Sequence, residues 1–367
     1  MSATRRSLLA GLSSLVASPR FLFGAAHARD HLLDAEWLAT AGMEGGFAPV
    51  VLSAGFDATP VGRGTQRLHW VEPSPDGRTA VAVARRPGTT AVLFDRRAGR
   101  VLATFEPGEG RVFSGHGRFV EGGRRFYAVE IERANGQGVV SLREVSDGFS
   151  IVSEWTSSGI GPHDMLPAHG GLVVANGGIE PHTPEAVGAE VADAGVAILD
   201  PASGETRAVG TLDGDLASLS LRHLARSDDG LVVVAAQDLL NDSIARPLVY
   251  AVEADGRLRG FDAPEEEWRA FRTYVGSVAT DRSGRYVAAA SPRGNRVAVW
   301  TREGRFLGGV PLVDGCGLAA THEPGRFLAT SGLGEVILIA ADEEGVGVVA
   351  RRSGGPRFDN HAVLVGA

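Results

Sequence analysis

The feature that most constrains this chain is a recurrence. A tight loop delivers one polar residue into the start of an apolar strand, and the event repeats in Arg67-Leu68-His69-Trp70, Ser114-Gly115-His116-Gly117, Gly161-Pro162-His163-Asp164, Leu221-Arg222-His223-Leu224 and Asp359-Asn360-His361-Ala362. Asp314-Gly315-Cys316-Gly317 delivers the single cysteine in the same manner. His69, His116 and His163 are spaced 47 residues apart, and Cys316 and His361 are 45 apart. The 93-residue interval between His223 and Cys316 divides if Ser277, in Tyr274-Val275-Gly276-Ser277-Val278, is the missing member. Repetition at this period belongs to repeat architectures.

Each unit reads as four short strands. In the first they are Leu68–Val71, Thr79–Ala84, Thr90–Phe94 and Val101–Phe105, joined by turns rich in Pro, Asp, Ser and Gly. The strands run apolar or alternate, with many Val and Ala, which favours strand over helix. Further units follow over roughly 116–156, 163–212, 223–262, 277–313 and 316–351. Three strands remain in front of the first unit (Trp37–Ala41, Ala48–Ser53, Ala58–Val61) and one remains behind the last, His361–Val365. Four strands per unit is the pattern of a propeller blade. The expectation is therefore an all-β, seven-bladed β-propeller whose last blade is closed by both chain ends, which removes free sheet edges. A β-sandwich, or a pair of β domains, is the competing architecture. Fifty glycines fit the many tight turns such a fold requires.

The N-terminal segment reads differently. Arg5 and Arg6 form a twin-arginine pair before a modest apolar run from Leu8 to Val16, and Ala26-His27-Ala28 offers a small-x-small cleavage site. The expectation is a signal peptide over 1–28, one propeller domain over 29–367, and a periplasmic protein exported by the twin-arginine pathway. Loss of Arg5, Arg6 and Arg20 would move the net charge from -8 to -11. Every basic side chain is arginine, since lysine is absent. An acidic surface is wrong for nucleic acid, which is bound by neutralising phosphates. No later segment approaches the roughly 20 apolar residues of a membrane span. One cysteine forbids an internal disulfide. A monomer is expected.

In a propeller the innermost strands all begin on one face, so His69, His116, His163, His223, His361 and Cys316 should converge at the mouth of one central channel. Loops joining second and third strands reach the same face and bring Arg85, Arg86, Glu130, Glu132, Asn176, Glu180, His182, Gln237, Asp238 and Arg293 as candidate ligand-binding groups. The longest such loop opens at Asn176 and runs to about Asp193, and long loops in compact repeats are usually functional. Clustered neutral imidazoles suit iron, copper, zinc or nickel, with Asp164 or Glu130 available to orient rings. A single histidine at a strand start is ordinarily a polar plug bonded to backbone, and a lone cysteine a small buried residue. Five histidines at equivalent positions make that reading hard to sustain for all of them. Outside this set, His31 and His169 read as surface residues and His322 as part of a turn. No Gly-x-Ser-x-Gly, Walker, His-Glu-x-x-His or Cys-x-x-Cys motif is present. Arg85-Arg86-Pro87-Gly88 is equally a carboxylate or phosphate clamp and an exposed turn.

The strings Gly159-Ile160-Gly161-Pro162-His163-Asp164, Leu172-Val173-Val174-Ala175-Asn176-Gly177-Gly178-Ile179, Ser220-Leu221-Arg222-His223-Leu224-Ala225, Tyr274-Val275-Gly276-Ser277-Val278 and Ser291-Pro292-Arg293-Gly294 resemble the domain-of-unknown-function 1513 family. The resemblance covers nearly all of the chain after residue 28. It implies an exported seven-bladed propeller, associated with iron-acquisition clusters that also encode imelysin-type periplasmic proteins, and no established activity. The leading expectation is a periplasmic propeller that binds a transition metal, iron foremost, or a metal chelate, in metal uptake or homeostasis alongside periplasmic metal-uptake proteins. Two other classes remain open: a redox or hydrolytic enzyme built on the same metal site, and a non-catalytic interaction platform.

Overall fold

The computed structural model describes residues 36–179, 191, 194–240 and 244–366. Seven antiparallel four-stranded sheets make up the chain. Their inner strands are Leu68–Pro73, Arg111–Val120, Pro162–Ala168, Leu219–Arg226, Ser277–Thr280, Gly315–Ala320 and Arg357–Leu364. Each packs against the inner strands of both neighbouring blades, and the ring closes. The first blade follows its sequence pattern closely, with strands at Leu68–Pro73, Thr79–Ala84, Ala91–Asp95 and Arg100–Phe105. The seventh pairs Arg357–Leu364 with Trp37–Met43, bringing Trp37 opposite Leu364 and Ala41 opposite Phe358. The two ends of the described chain thus share one sheet, and the propeller leaves no inner gap.

The apolar residues lie between blades rather than in one centre. Phe105, Phe113, Phe126 and Phe149 join the first and second blades, with Phe105 and Phe149 stacked at 4.1 Å. Trp37, Phe358, Leu328 and Val336 join the sixth and seventh. Side chains of this size contribute about 1.5–3 kcal/mol each when fully buried, so the ring is held by its interfaces and its axis is free to carry polar groups. One element was not legible in the repeat: the short helix Glu265–Ala270 bridges the fourth and fifth blades. Trp268 in it stacks on Trp300 at 5.6 Å. No helix among the described residues is long and apolar enough to cross a membrane.

An inner strand is the edge of its sheet, so a regular one turns backbone toward the axis and alternates its side chains onto the neighbouring blades. A β-bulge breaks that alternation and re-aims a side chain. Register shifts in six inner strands span His69, His116, His163, His223, Cys316 and the segment Asp359–His361. The inner strand of the fifth blade runs in unbroken register from Ser277 to Thr280. Every polar residue that the sequence places at a strand entrance, apart from Ser277, therefore sits in a bulge. Gly115 shows the local requirement: its φ is +119°, and a Cβ there would lie 2.7 Å from His69 Cδ2. His361 itself holds φ +80°, a strained value for a side-chain-bearing residue.

Candidate metal centre

The bulges bring four imidazoles to one point. Donor atoms from His69, His116, His223 and His361 all lie within 4.8 Å of one another. His69 Nε2 and His361 Nε2 are 3.3 Å apart. A tetrahedral ion with metal–nitrogen bonds of about 2.0–2.1 Å spaces its donors about 3.4 Å apart, so the group is already near the dimensions of a filled site. The rings are buried, from 0% exposure at His116 to 4% at His361. At that depth they form a plug within the axis rather than a rim at an open mouth; His116 lies midway along Arg111–Val120.

A carboxylate stands beside each of two rings. His69 Nδ1 faces Asp359 Oδ1 at 3.4 Å. His116 Nδ1 lies 3.1 Å from Asp164 Oδ1, off the line of a straight hydrogen bond. Ionised carboxylates only accept, so His69 Nδ1 carries the proton and its Nε2 lone pair is left for a ligand, while neither ring nitrogen of His116 is hydrogen-bonded. His361 Nδ1 is 3.4 Å from Ser277 Oγ. His223 has neither ring nitrogen hydrogen-bonded, although both are buried. Orphaned polar atoms at such depth are uncommon, and two on one ring are what a residue able to hold a metal would present.

The carboxylates also tie blades together. Asp164 accepts from Arg118 Nη2 at 3.1 Å and from its own strand at Met165 N. Its other oxygen accepts from Leu224 N at 2.9 Å, satisfying a backbone donor that the bulge at His223 releases. Asp359 is paired with Arg67 and lies 3.4 Å from Arg85 Nη1.

Electrostatics keep the imidazoles neutral. Burial, reinforced by the Arg85 guanidinium and adjoining imidazoles, lowers His69 well below the usual 6.5. Burial likewise dominates at His163, His223 and His361, which are lowered well below that value. His116 is lowered by burial while Asp164 opposes the shift. Burial resists ionisation of Asp164, but His116 and Arg118 hold its carboxyl well below the ordinary range. Neutral imidazole is the form a metal requires.

The other candidates fall in several places. The His163 ring adjoins the group, with centroids 4.5 Å from His223 and 5.1 Å from His116, yet it stands outside the four-residue donor set. Cys316 is also outside it: its Sγ faces the carbonyls of Phe358 at 3.4 Å and Thr330 at 3.6 Å. Burial pushes that thiol far above its ordinary value, whereas metals bind thiolate. Arg85 reaches the centre through Asp359, and Arg86 donates to Ile179 O at 3.3 Å. Glu130 is turned into its own blade, where Ser141, Arg143 and Gly108 donate to it. Asn176 Oδ1 accepts from Ser157 Oγ at 2.7 Å and stitches the second blade to the third. Arg293 lies over the Tyr274 ring at 4.5 Å. His182 lies outside the described residues.

Beyond the plug, a chamber of about 370 Å³ is lined by Trp70, Glu72, Arg118, Ser277 and His361 among others. Arg118 covers the Trp70 ring at 3.9 Å. Trp70 Nε1 donates to Glu72 at 3.0 Å. Burial raises that carboxyl to about 7 against the counter-pull of Arg118. The sequence reading missed this chamber, because Trp70, Glu72 and Arg118 follow the histidines in their strands and carry no motif.

Fold and site together define a seven-bladed propeller with a buried axial histidine cluster that could hold a metal. The chain belongs to the protein family of unknown function DUF1513, whose profile matches residues 63–365. No curated protein matches it in sequence. Among solved structures it is similar to a chain of Kuenenia stuttgartiensis hydrazine synthase, at 14% identity and TM-score 0.60, covering 84% of this chain and 90% of that one. At that identity the likeness speaks for the fold alone.

Proposed function

We propose that this chain binds one transition-metal ion at His69, His116, His223 and His361, with iron, copper and zinc the candidate metals. One observation carries the reading: buried imidazole nitrogens converge at 3.3 Å between His69 and His361, while both nitrogens of His223 have no protein partner. Asp359 holds His69 in the tautomer this requires, and Asp164 lies 3.1 Å from His116 Nδ1. The depth of the plug favours a bare ion over a bulky chelate. Metal analysis of protein purified without chelator tests it. One equivalent per chain is expected, and a protein that takes up none when offered iron, copper and zinc ends the reading.

The wider role we propose is metal uptake or homeostasis in the periplasm, in company with other metal-uptake proteins. Its support is the Arg5-Arg6 pair and the family's resemblance to components of imelysin-type iron-acquisition clusters. Changing both Arg5 and Arg6 to Lys should leave full-length precursor in the cytoplasm, because the pair is read by a receptor and not as a charge. Normal export of that variant removes the twin-arginine assignment.

A further inference from the structure

The histidine plug divides the axis into two unlike halves. Inner strands of a propeller run along the axis from a common face. Residues before each axis-facing position therefore lie on one side of the plug, and residues after it on the other. The chamber of about 370 Å³ belongs to the second half. All seven inner strands line it, each only at or after its axis-facing position, from Trp70 and Glu72 in the first blade to Val363 in the seventh. It ends against His361, a member of the four-histidine set. At its rim Arg226 and Asp228 are exposed. Glu72 is its carboxylate beside the plug: Trp70 Nε1 donates to it, and the Trp70 ring lies 5.2 Å from that of His116 and 5.3 Å from that of His361. The guanidiniums of the chamber are engaged elsewhere, Arg118 with Asp164 and Arg226 with Pro167 O.

The first half is more tightly held and more positive. Ile179 of the third blade is fully buried, and its carbonyl accepts from Arg86 of the first blade at 3.3 Å, a contact between blades that are not neighbours. Three guanidiniums approach the plug from this side: Arg67 and Arg85 at Asp359, and Arg222 at His163. The carboxylates there are Asp359 and Asp314. We infer that a divalent cation reaches the plug through the chamber, with the Glu72 carboxylate receiving it in transit, and not through the strand entrances. The inference rests on the proposed metal centre. A carboxylate suits the task because it attracts a hydrated cation, while imidazole is the better ligand for iron, copper or zinc, so the ion passes on to the rings. A group on the route changes entry and exit by the same factor and leaves the equilibrium where it was.

The test is stopped-flow binding of cobalt(II) to the whole chain after chelator treatment, at about pH 8 so that Glu72, raised to about 7, is ionised. Glu72→Gln keeps the shape and should slow association about tenfold, the low end of what electrostatic focusing supplies. Dissociation should slow alike and affinity stay as it is. Val363→Trp narrows the chamber at a half-buried lining position and should slow both rates in the same way. Arg86→Ala, on the opposite side, should leave association unchanged. Four results overturn the inference. Unchanged association in Val363→Trp places the route elsewhere. Unchanged association in Glu72→Gln removes the transit carboxylate, and if affinity falls as well, Glu72 belongs to the site and not to the route. Faster association in Arg86→Ala opens the route at the strand entrances. In these the metal centre stands; a wild type that takes up no cobalt removes the centre itself, and this inference with it.

Discussion

The fifth blade and the other six differ by one structural event. Ser277–Thr280 pairs in continuous register with Ala290–Val287, while the remaining inner strands each break register at the residue that faces the axis. The unbroken blade contributes a small hydroxyl that touches His361 from the side. Five of the broken ones contribute imidazoles, and the sixth a thiol directed at carbonyls. The bulge, more than the residue type, decides what reaches the axis, because a regular edge strand has no side chain to send there.

The largest expected effect comes from acid. All five rings are held below the unfolded imidazole value. Between that value and the folded ones, the unfolded chain binds more protons than the native state, so native stability falls as pH falls. A ring held neutral contributes at most about 1.4 kcal/mol per pH unit in that window, and five rings shifted in the same direction make the loss on acidification the largest effect expected here. The groups facing the rings are Asp164, Asp359, Arg67, Arg85, Arg118 and Arg222; Asp164 moderates the effect at His116 and His223. Glu72, raised to about 7, acts in the opposite sense, losing stability as pH rises through its range, but it is one group against five. Urea unfolding of chelator-treated protein at pH 7, 6 and 5 measures the slope. A stability independent of pH over that span would show that the rings are not held neutral.

Next in size is His223→Ala. Structural zinc sites bind with roughly 10–16 kcal/mol, so losing one of four ligands should cost about a hundredfold in metal affinity or more. Cys316→Ser, in a bulge of the same kind, should leave affinity unchanged because its thiol is outside the donor set. Equal losses in the two variants, read by competition with a chromophoric chelator, would erase the distinction between the sixth blade and its neighbours.

Asp164→Asn is smaller. The amide keeps an acceptor near His116 Nδ1 but loses the charge, and orienting carboxylates are worth about 10–100-fold in metal affinity. Loss below that range in titrations with cobalt would mean that bulge geometry alone sets the ring, without its carboxylate.

These orienting contacts mark where sequence reading stops. Blade count, inner strands and the converging histidines follow from period, turn residues and strand patterning, all local properties. The pairing of ring with carboxylate is not local. Asp164 follows His163 directly, yet serves His116 in the preceding blade. Asp359 lies two residues before His361, yet serves His69. Arg222 precedes His223 but faces His163. Each bulge turns one residue toward the axis and its neighbour toward the adjoining blade, so adjacency in sequence becomes separation in space. Glu130 illustrates the reverse: its loop seemed to point it at the axis, but strand Arg125–Glu132 carries it into a pair with Arg143.

The smallest effect tests the regular blade directly. Ser277→Ala removes the hydroxyl that lies 3.4 Å from His361 Nδ1, a polar contact of the fifth blade with the clustered rings. A neutral hydrogen bond contributes about 0.5–1.5 kcal/mol net, and a contact this long belongs at the low end, so metal affinity should fall only about two- to fivefold. Ser277 is 1% exposed, but deleting one oxygen leaves little cavity, and the unfolding midpoint should barely move. The comparison with Asp164→Asn is the informative one. Asp164 carries charge, touches two neighbouring blades and satisfies a donor released by a bulge; Ser277 does none of these. A Ser277→Ala variant as damaged as Asp164→Asn would mean that the fifth blade orients the centre without a bulge, and the correspondence between broken register and function would not hold.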